Sequence, residues 1–204
     1  MDYLWQAYKN IGKIGREQKV KKIIREVFST VLYIAVVLGL TYLLITYVGQ
    51  RTVVDGASME PTLADGDNLI VDKISYRFKE PKRFDIIVFP FQYQEGVYYI
   101  KRIIGLPGET VWIDTDGSIY IDFGEGMTLL EESYGKQIIS PEHIGRASNP
   151  VVLGEDEYFV LGDNRNNSSD SRTDMVGNIK RDDIIGKAWV RVWPLSDFEV
   201  LAHQ

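Results

Sequence analysis

The stretch Tyr98-Tyr99-Ile100-Lys101-Arg102-Ile103-Ile104-Gly105 decides how the rest of the chain is read. Aromatic and β-branched residues dominate it, and Val97–Ile104 reads as a strand. Two cations stand in its middle. Side chains alternate along a strand, so Lys101 shares a face with Tyr99 and Ile103, and Arg102 shares the other with Ile100 and Ile104. An amine among such neighbours is partly desolvated, which disfavours its charged form. The alternative is a lysine whose stem packs on the sheet while its head reaches water.

The same texture recurs on both sides of this stretch. Asn68–Asp72 follows the Asp65-Gly66 turn and reads as a strand, as do Phe84–Phe89, Glu157–Leu161 and Gly186–Val192. Thr110–Ile113 and Ser118–Ile121 flank Asp116-Gly117, a strong hairpin signal. No amphipathic helix of useful length is visible between Arg51 and Gln204. Residues 49–204 are therefore expected to form one all-β domain without internal repeats. Leu129–Ala147 is the least legible part and reads as an insertion on the rim. Phe89, Phe91 and Tyr93 around Pro90 are either ordinary core or an exposed apolar patch near a bilayer.

Upstream the pattern changes. From Val27 to Val48 there is no charged residue, and as a helix those residues span roughly 33 Å, close to the ~30 Å bilayer core. The run is longer than the apolar part of a cleaved signal peptide, and Tyr47-Val48-Gly49-Gln50-Arg51 offers no small-x-small cleavage site. A buried soluble helix is the remaining alternative. Residues 1–26 carry seven basic and three acidic side chains, a local charge of +4, leaving −10 for the rest of a chain whose net charge is −6. The basic side stays in the cytoplasm. The expected layout is a basic cytoplasmic tail (1–26), a transmembrane helix (27–48) and an extracytoplasmic β domain (49–204). Asn10–Lys22 reads as a solvated topology signal, with a basic amphipathic stretch at the inner leaflet as the alternative.

Composition narrows the function classes. The 204 residues are 45% hydrophobic, enough for a real core, and include no cysteine. That removes disulfides, thiol nucleophiles and cysteine metal sites. The acidic outer domain argues against nucleic acid as a partner.

The stretch Asp55-Gly56-Ala57-Ser58-Met59-Glu60-Pro61-Thr62-Leu63 places a serine between small residues and a rigid proline turn. Such a serine is accessible and held in place, as a nucleophile must be. The bland reading is a polar loop serine. Glu60 stands where a nucleophile elbow needs glycine, and Pro61 where the penicillin-binding pattern needs lysine. The two histidines, His143 and His203, stand in the illegible region and next to the end, and both read as surface residues. Lysine remains as the base, and Lys101 is the one in an apolar setting. Bringing its pKa from ~10.4 to near 7 requires roughly 4 kcal/mol, which burial can supply.

A third cluster is Gly162-Asp-Asn-Arg-Asn-Asn-Ser-Ser-Asp-Ser-Arg172. Counted as a calcium loop from Asp163, it has Arg165 at the third position and Ser168 where glycine is required, so that reading fails. It reads better as a polar scaffold for the lysine head, with Asp163 and Asp170 pairing arginines such as Arg102 or Arg172. A solvated turn is the plain alternative.

Three motifs in this order after one span resemble bacterial type I signal peptidases, in the short form of Gram-positive bacteria. They are Ser58-Met-x-Pro-Thr-Leu63, Lys101-Arg102 with Gly105-x-Pro107-Gly108-Glu109, and Gly162-Asp-Asn-Arg165 through Ser168-x-Asp170-Ser-Arg172. The resemblance covers almost the whole chain. It implies an all-β fold related to self-cleaving repressor proteases, preceded by one transmembrane helix. It implies Ser58 as nucleophile, Lys101 as general base and Ser168 as the serine that orients the lysine. Asp163, Arg102, Asp170 and Arg172 correspond to supporting positions, and Met59 to the substrate pocket. The Ser58 backbone N–H corresponds to an oxyanion donor. The implied partners are preprotein signal peptides, the bilayer and the secretion translocon, with no metal, cofactor or nucleic acid. Many relatives carry a serine two residues before the nucleophile, whose hydroxyl helps bind the oxyanion. Here that place is Gly56, and losing such a donor costs ~3 kcal/mol elsewhere, so something should replace it. The alternatives are an inactive relative acting as an assembly factor and, less compatible with the span, a soluble self-cleaving repressor.

Overall fold

The computed structural model describes residues 2–47, 49–132, 134 and 138–201. The chain divides between Thr46 and Tyr47 into two compact units. The first is one helix, α1 (Asp2–Tyr47). The helix runs straight through the basic tail, so the expected boundary at residue 26 is not a break in structure. Within it, Lys19–Leu43 is long and apolar enough to cross a membrane, and none of that window is buried in protein. Phe28, Tyr33, Leu38 and Tyr42 are all exposed. A helix of this length and composition fits a membrane anchor. Val48, the expected end of the span, lies outside the described residues.

The second unit is built of strands. They are β1 (Gly49–Val53), β2 (Asn68–Asp72), β3 (Ile86–Pro90), β4 (Tyr98–Gly105), β5 (Thr110–Ile113), β6 (Ile119–Asp122), β7 (Met127–Leu129), β8 (Val151–Val152), β9 (Glu157–Leu161), β10 (Ile179–Lys180), β11 (Gly186–Trp193) and β12 (Glu199–Val200). The large sheet has the order β1-β2-β11-β3-β4-β9-β10, with β12 beside β11, and a smaller sheet has the order β7-β6-β5-β8. Every pairing among the described residues is antiparallel. Between Arg51 and Leu201 the described helices are short 3-10 turns.

Alternation along the central strands sorts their side chains into separate cores. On β3, Ile86 and Val88 pack with Val54, Met59, Leu63 and Leu69, whereas Ile87 and Phe89 pack with Tyr76, Ile103 and Val160. On β9, Phe159 and Leu161 join Val111, Ile113 and Ile121 of the small sheet. The central strands are thus covered on both faces, and β4 is buried from Ile100 to Gly105. The rim insertion expected at Leu129–Ala147 is in part core. Ile139, Ile144 and Ala147 are buried against β5 and β6 in the same cluster. Phe89 is core at 2% exposure, while Tyr93 is exposed.

Candidate active site

β4 carries Lys101 opposite Ile87 of β3, and Arg102 between Ile86 of β3 and Leu161 of β9. Being central, β4 buries both cations, at 4% exposure for Lys101 and 2% for Arg102. Their fates differ. Arg102 donates Nε and Nη2 to the two carboxylate oxygens of Asp163, at 2.8 and 2.6 Å, and Nη1 to the Phe84 carbonyl at 3.0 Å. Lys101 has no carboxylate in contact among the described residues. Its Nζ donates to the Ile100 carbonyl at 2.9 Å and lies 2.8 Å from Ser58 Oγ. Burial pushes the Lys101 pKa down to about 8, against a smaller upward pull from Asp170 and Asp163. Tyr99 flanks the amine, with its ring centre 5.0 Å from Nζ.

Ser58 stands on the loop after β1, above a core made by Met59 and Leu63. The loop is held at several points. Gly56 N–H donates to Asp65 Oδ1 at 2.8 Å, and Thr62 Oγ1 donates to Asp163 Oδ2 at 2.5 Å. Asn164 donates its side-chain amide to the Ala57 carbonyl at 3.0 Å and its backbone N–H to the Ser58 carbonyl at 3.1 Å. Gly56 has φ +90°, a conformation that L side chains rarely adopt, although a Cβ there would meet nothing within 4 Å. Glycine at this place is therefore a backbone requirement.

The segment after β9 closes the site. Asp170 receives Nε and Nη2 of Arg172 at 2.8 and 2.7 Å and the Gly162 N–H at 3.0 Å. A Cβ on Gly162 would lie 2.4 Å from the Ser58 carbonyl oxygen and 2.2 Å from Ser168 Oγ. Only glycine lets this segment approach the nucleophile loop so closely. A cavity of about 270 Å³ opens at the site, lined by Asp55, Ser58, Val97, Tyr98, Tyr99, Ile100, Lys101 and Ser169. A hydroxyl in contact with a buried amine of lowered pKa, at the wall of a cavity, can be deprotonated and attack an electrophilic carbon placed there.

Residues 25–193 match the family described as signal peptidase, peptidase S26. The chain belongs to this family. It is 41% identical over 155 residues to a probable signal peptidase I-2 of Synechocystis sp., covering 74% of this chain and 66% of that protein. To a signal peptidase I of Leptolyngbya laminosa it is 44% identical over 158 residues, covering 74% and 72% respectively. A crystal structure of a signal peptidase I from Enterococcus faecalis V583 is similar over 53% of this chain and 97% of that one, at 36% identity and a TM-score of 0.42.

For this signal peptidase family member, two of the expected site residues make contacts other than those expected. Ser168 Oγ is buried with no hydrogen-bond partner among the described residues. It fills the space over Gly162, and the second partner of the Lys101 amine is the Ile100 carbonyl instead. Met59 is 1% exposed and turns into the core with Leu63, so the cavity wall is made by Val97, Tyr98, Tyr99 and Ile100. The His143 side chain is exposed and only its backbone carbonyl meets the cluster, accepting from Arg172 Nη1 at 2.9 Å, and His203 lies outside the described residues.

Sequence reasoning missed four contributors. Thr62 and Asn164 both lie inside quoted motifs, and only their polar side chains hinted at a use. Tyr134 stacks its ring 3.7 Å from the Arg102 guanidinium, and Glu132 accepts both terminal nitrogens of buried Arg165, one of them at 2.8 Å. These two come from the illegible segment, which has no periodicity to betray them.

Proposed function

We propose that this chain is a membrane-anchored serine endopeptidase that removes N-terminal signal peptides from exported preproteins, cutting after small-x-small sites. The observation that carries the reading is the 2.8 Å approach of a buried Lys101 amine to Ser58 Oγ. Family membership supplies the substrate class.

In this mechanism neutral Lys101 takes the Ser58 hydroxyl proton as Oγ attacks the scissile carbonyl. The tetrahedral oxyanion accepts a hydrogen bond from the Ser58 N–H. The ammonium then gives its proton to the leaving amine, and the C–N bond breaks. An ester between Ser58 and the signal peptide remains. Lys101, neutral again, takes a proton from water as it attacks the ester, and the ammonium returns that proton to Ser58 Oγ as the acyl C–O bond breaks. Arg102, Asp163, Asp170 and Arg172 hold β4, the nucleophile loop and the closing segment in register. The substrate lies extended beside the backbone at 97–101.

The helix crosses the bilayer once with its basic end in the cytoplasm, and the β domain lies outside, beside the secretion translocon. The test is cleavage of a preprotein with an Ala-x-Ala site by the purified full chain. Wild type cleaves, while Ser58→Ala and Lys101→Ala do not. Cleavage that survives either substitution removes this mechanism, and no cleavage by wild type leaves only a binding role.

A further inference from the structure

The Ser58 N–H donates to no protein group among the described residues, which leaves it available to an oxyanion. What matters for such a donor is its direction. The residue before the nucleophile pair, Gly56, adopts φ +90° and contributes no side chain to stiffen the loop. The Asp55–Gly56 side is fastened through Asp65. The peptide unit that carries the Ser58 N–H needs a fastener of its own.

That unit joins Ala57 C=O to Ser58 N–H. A trans peptide is planar, so its C=O and N–H point in opposite directions, and fixing the oxygen aims the hydrogen. The Ala57 oxygen accepts two hydrogen bonds. One, from Glu60 N–H at 3.2 Å, lies within the loop and moves with it. The other, from Asn164 Nδ2 at 3.0 Å, comes from the opposite segment. The Asn164 backbone N–H holds the next carbonyl, that of Ser58, at 3.1 Å. One residue thus grips the carbonyls on both sides of the nucleophile. Asn164 is itself anchored, because neighbouring Asp163 is locked by Arg102 and Thr62.

We infer that Asn164 is a positioning residue for the oxyanion site: through the Ala57 carbonyl it aims the Ser58 N–H at the developing negative charge. This deepens the peptidase reading and rests on Ser58 being the nucleophile. It supplies part of what Gly56 lacks. Position 56 offers no hydroxyl, so the direction of the remaining amide matters more.

The experiment uses the full chain in detergent micelles, with Asn164→Ala and Asn164→Asp. The aspartate keeps the size and the backbone N–H but removes the Nδ2 donor. Turnover of an Ala-x-Ala peptide is measured per titrated active site, together with inhibition by a peptide aldehyde whose Ser58 adduct carries the oxyanion. Both variants are expected to lose kcat by on the order of 10²-fold, the effect of weakening an oxyanion donor. KM stays at the wild-type value in both, the pH midpoint of kcat/KM stays there in Asn164→Ala, which adds no charge, and aldehyde affinity falls by the same factor as kcat/KM. Wild-type kcat in Asn164→Asp overturns the inference, as does a lower kcat with undiminished aldehyde affinity. Failure of the underlying reading is distinct: it appears as turnover by Ser58→Ala.

Discussion

Asp163 and Arg102 form a two-pronged ion pair at 2.8 and 2.6 Å with both side chains almost wholly out of solvent. The pair does more than neutralise Arg102. The same carboxylate holds Thr62 of the nucleophile loop at 2.5 Å, so it joins that loop to the strand bearing Lys101.

Asp163→Ala leaves the Arg102 charge buried without its partner, and breaking such a pair costs about 3–5 kcal/mol. Denaturant unfolding of the variant in detergent should show a loss of that size. The double variant Asp163→Ala with Arg102→Met should recover part of it, because no charge is then stranded. A single variant as stable as wild type contradicts this role.

Lys101 itself works against stability. Its folded pKa is about 8, below the ~10.4 of an unfolded lysine. Below pH 8 both states hold the proton and the folded state bears the full penalty. Between about 8 and ~10.4 the unfolded state holds more protons, so stability rises with pH; above that window the penalty is gone. Its size is on the order of 3 kcal/mol. Lys101→Met should therefore be inactive yet more stable than wild type at pH 7, and should lack the alkaline rise. Equal pH slopes for the two proteins contradict the assignment.

Gly162→Ala places a methyl 2.4 Å from the Ser58 carbonyl oxygen and 2.2 Å from Ser168 Oγ. Overpacking of this kind costs about 1–3 kcal/mol, and displacing a nucleophile by about 1 Å can cost 10²-fold in rate. Adding Ser168→Gly should restore stability before it restores activity, because the clash with the Ser58 carbonyl remains. Melting curves and kcat measured on both proteins decide this.

These variants show what was readable in advance and what was not. The β character was legible because Asn68–Asp72, Tyr98–Gly105 and the Asp116-Gly117 hairpin carry local signals that tertiary structure did not override. The burial of Lys101 followed from its apolar neighbours. Alternation, however, said little about β4, which is covered on both faces, so Arg102 is as buried as its neighbour. The division into two sheets was not legible, since strand order is set by contacts distant in sequence. Nor was the part played by Glu132 and Tyr134, which act only through Arg165 and Arg102. The contacts of Ser168 and Met59 were not legible either, because a motif records which residue is needed but not whether it faces the cavity or packs behind it.

The proposed orientation is open to direct labelling, because the chain has no cysteine to confuse the result. In intact cells Glu95→Cys should react with a membrane-impermeant maleimide. Gln6→Cys should react only after permeabilisation. The reverse pattern contradicts an outward-facing β domain.

The central claim is that the Lys101 amine, in contact with Ser58 Oγ, gives up its charge near pH 8, well below an ordinary lysine. The most direct measurement is an NMR titration of lysine side chains labelled at the ε-carbon, with the Lys101 signal assigned by its loss in Lys101→Arg. The account predicts a midpoint near 8 that coincides with the acid limb of kcat/KM. A Lys101 midpoint at the ordinary ~10.4, with activity rising at a lower pH, would contradict it.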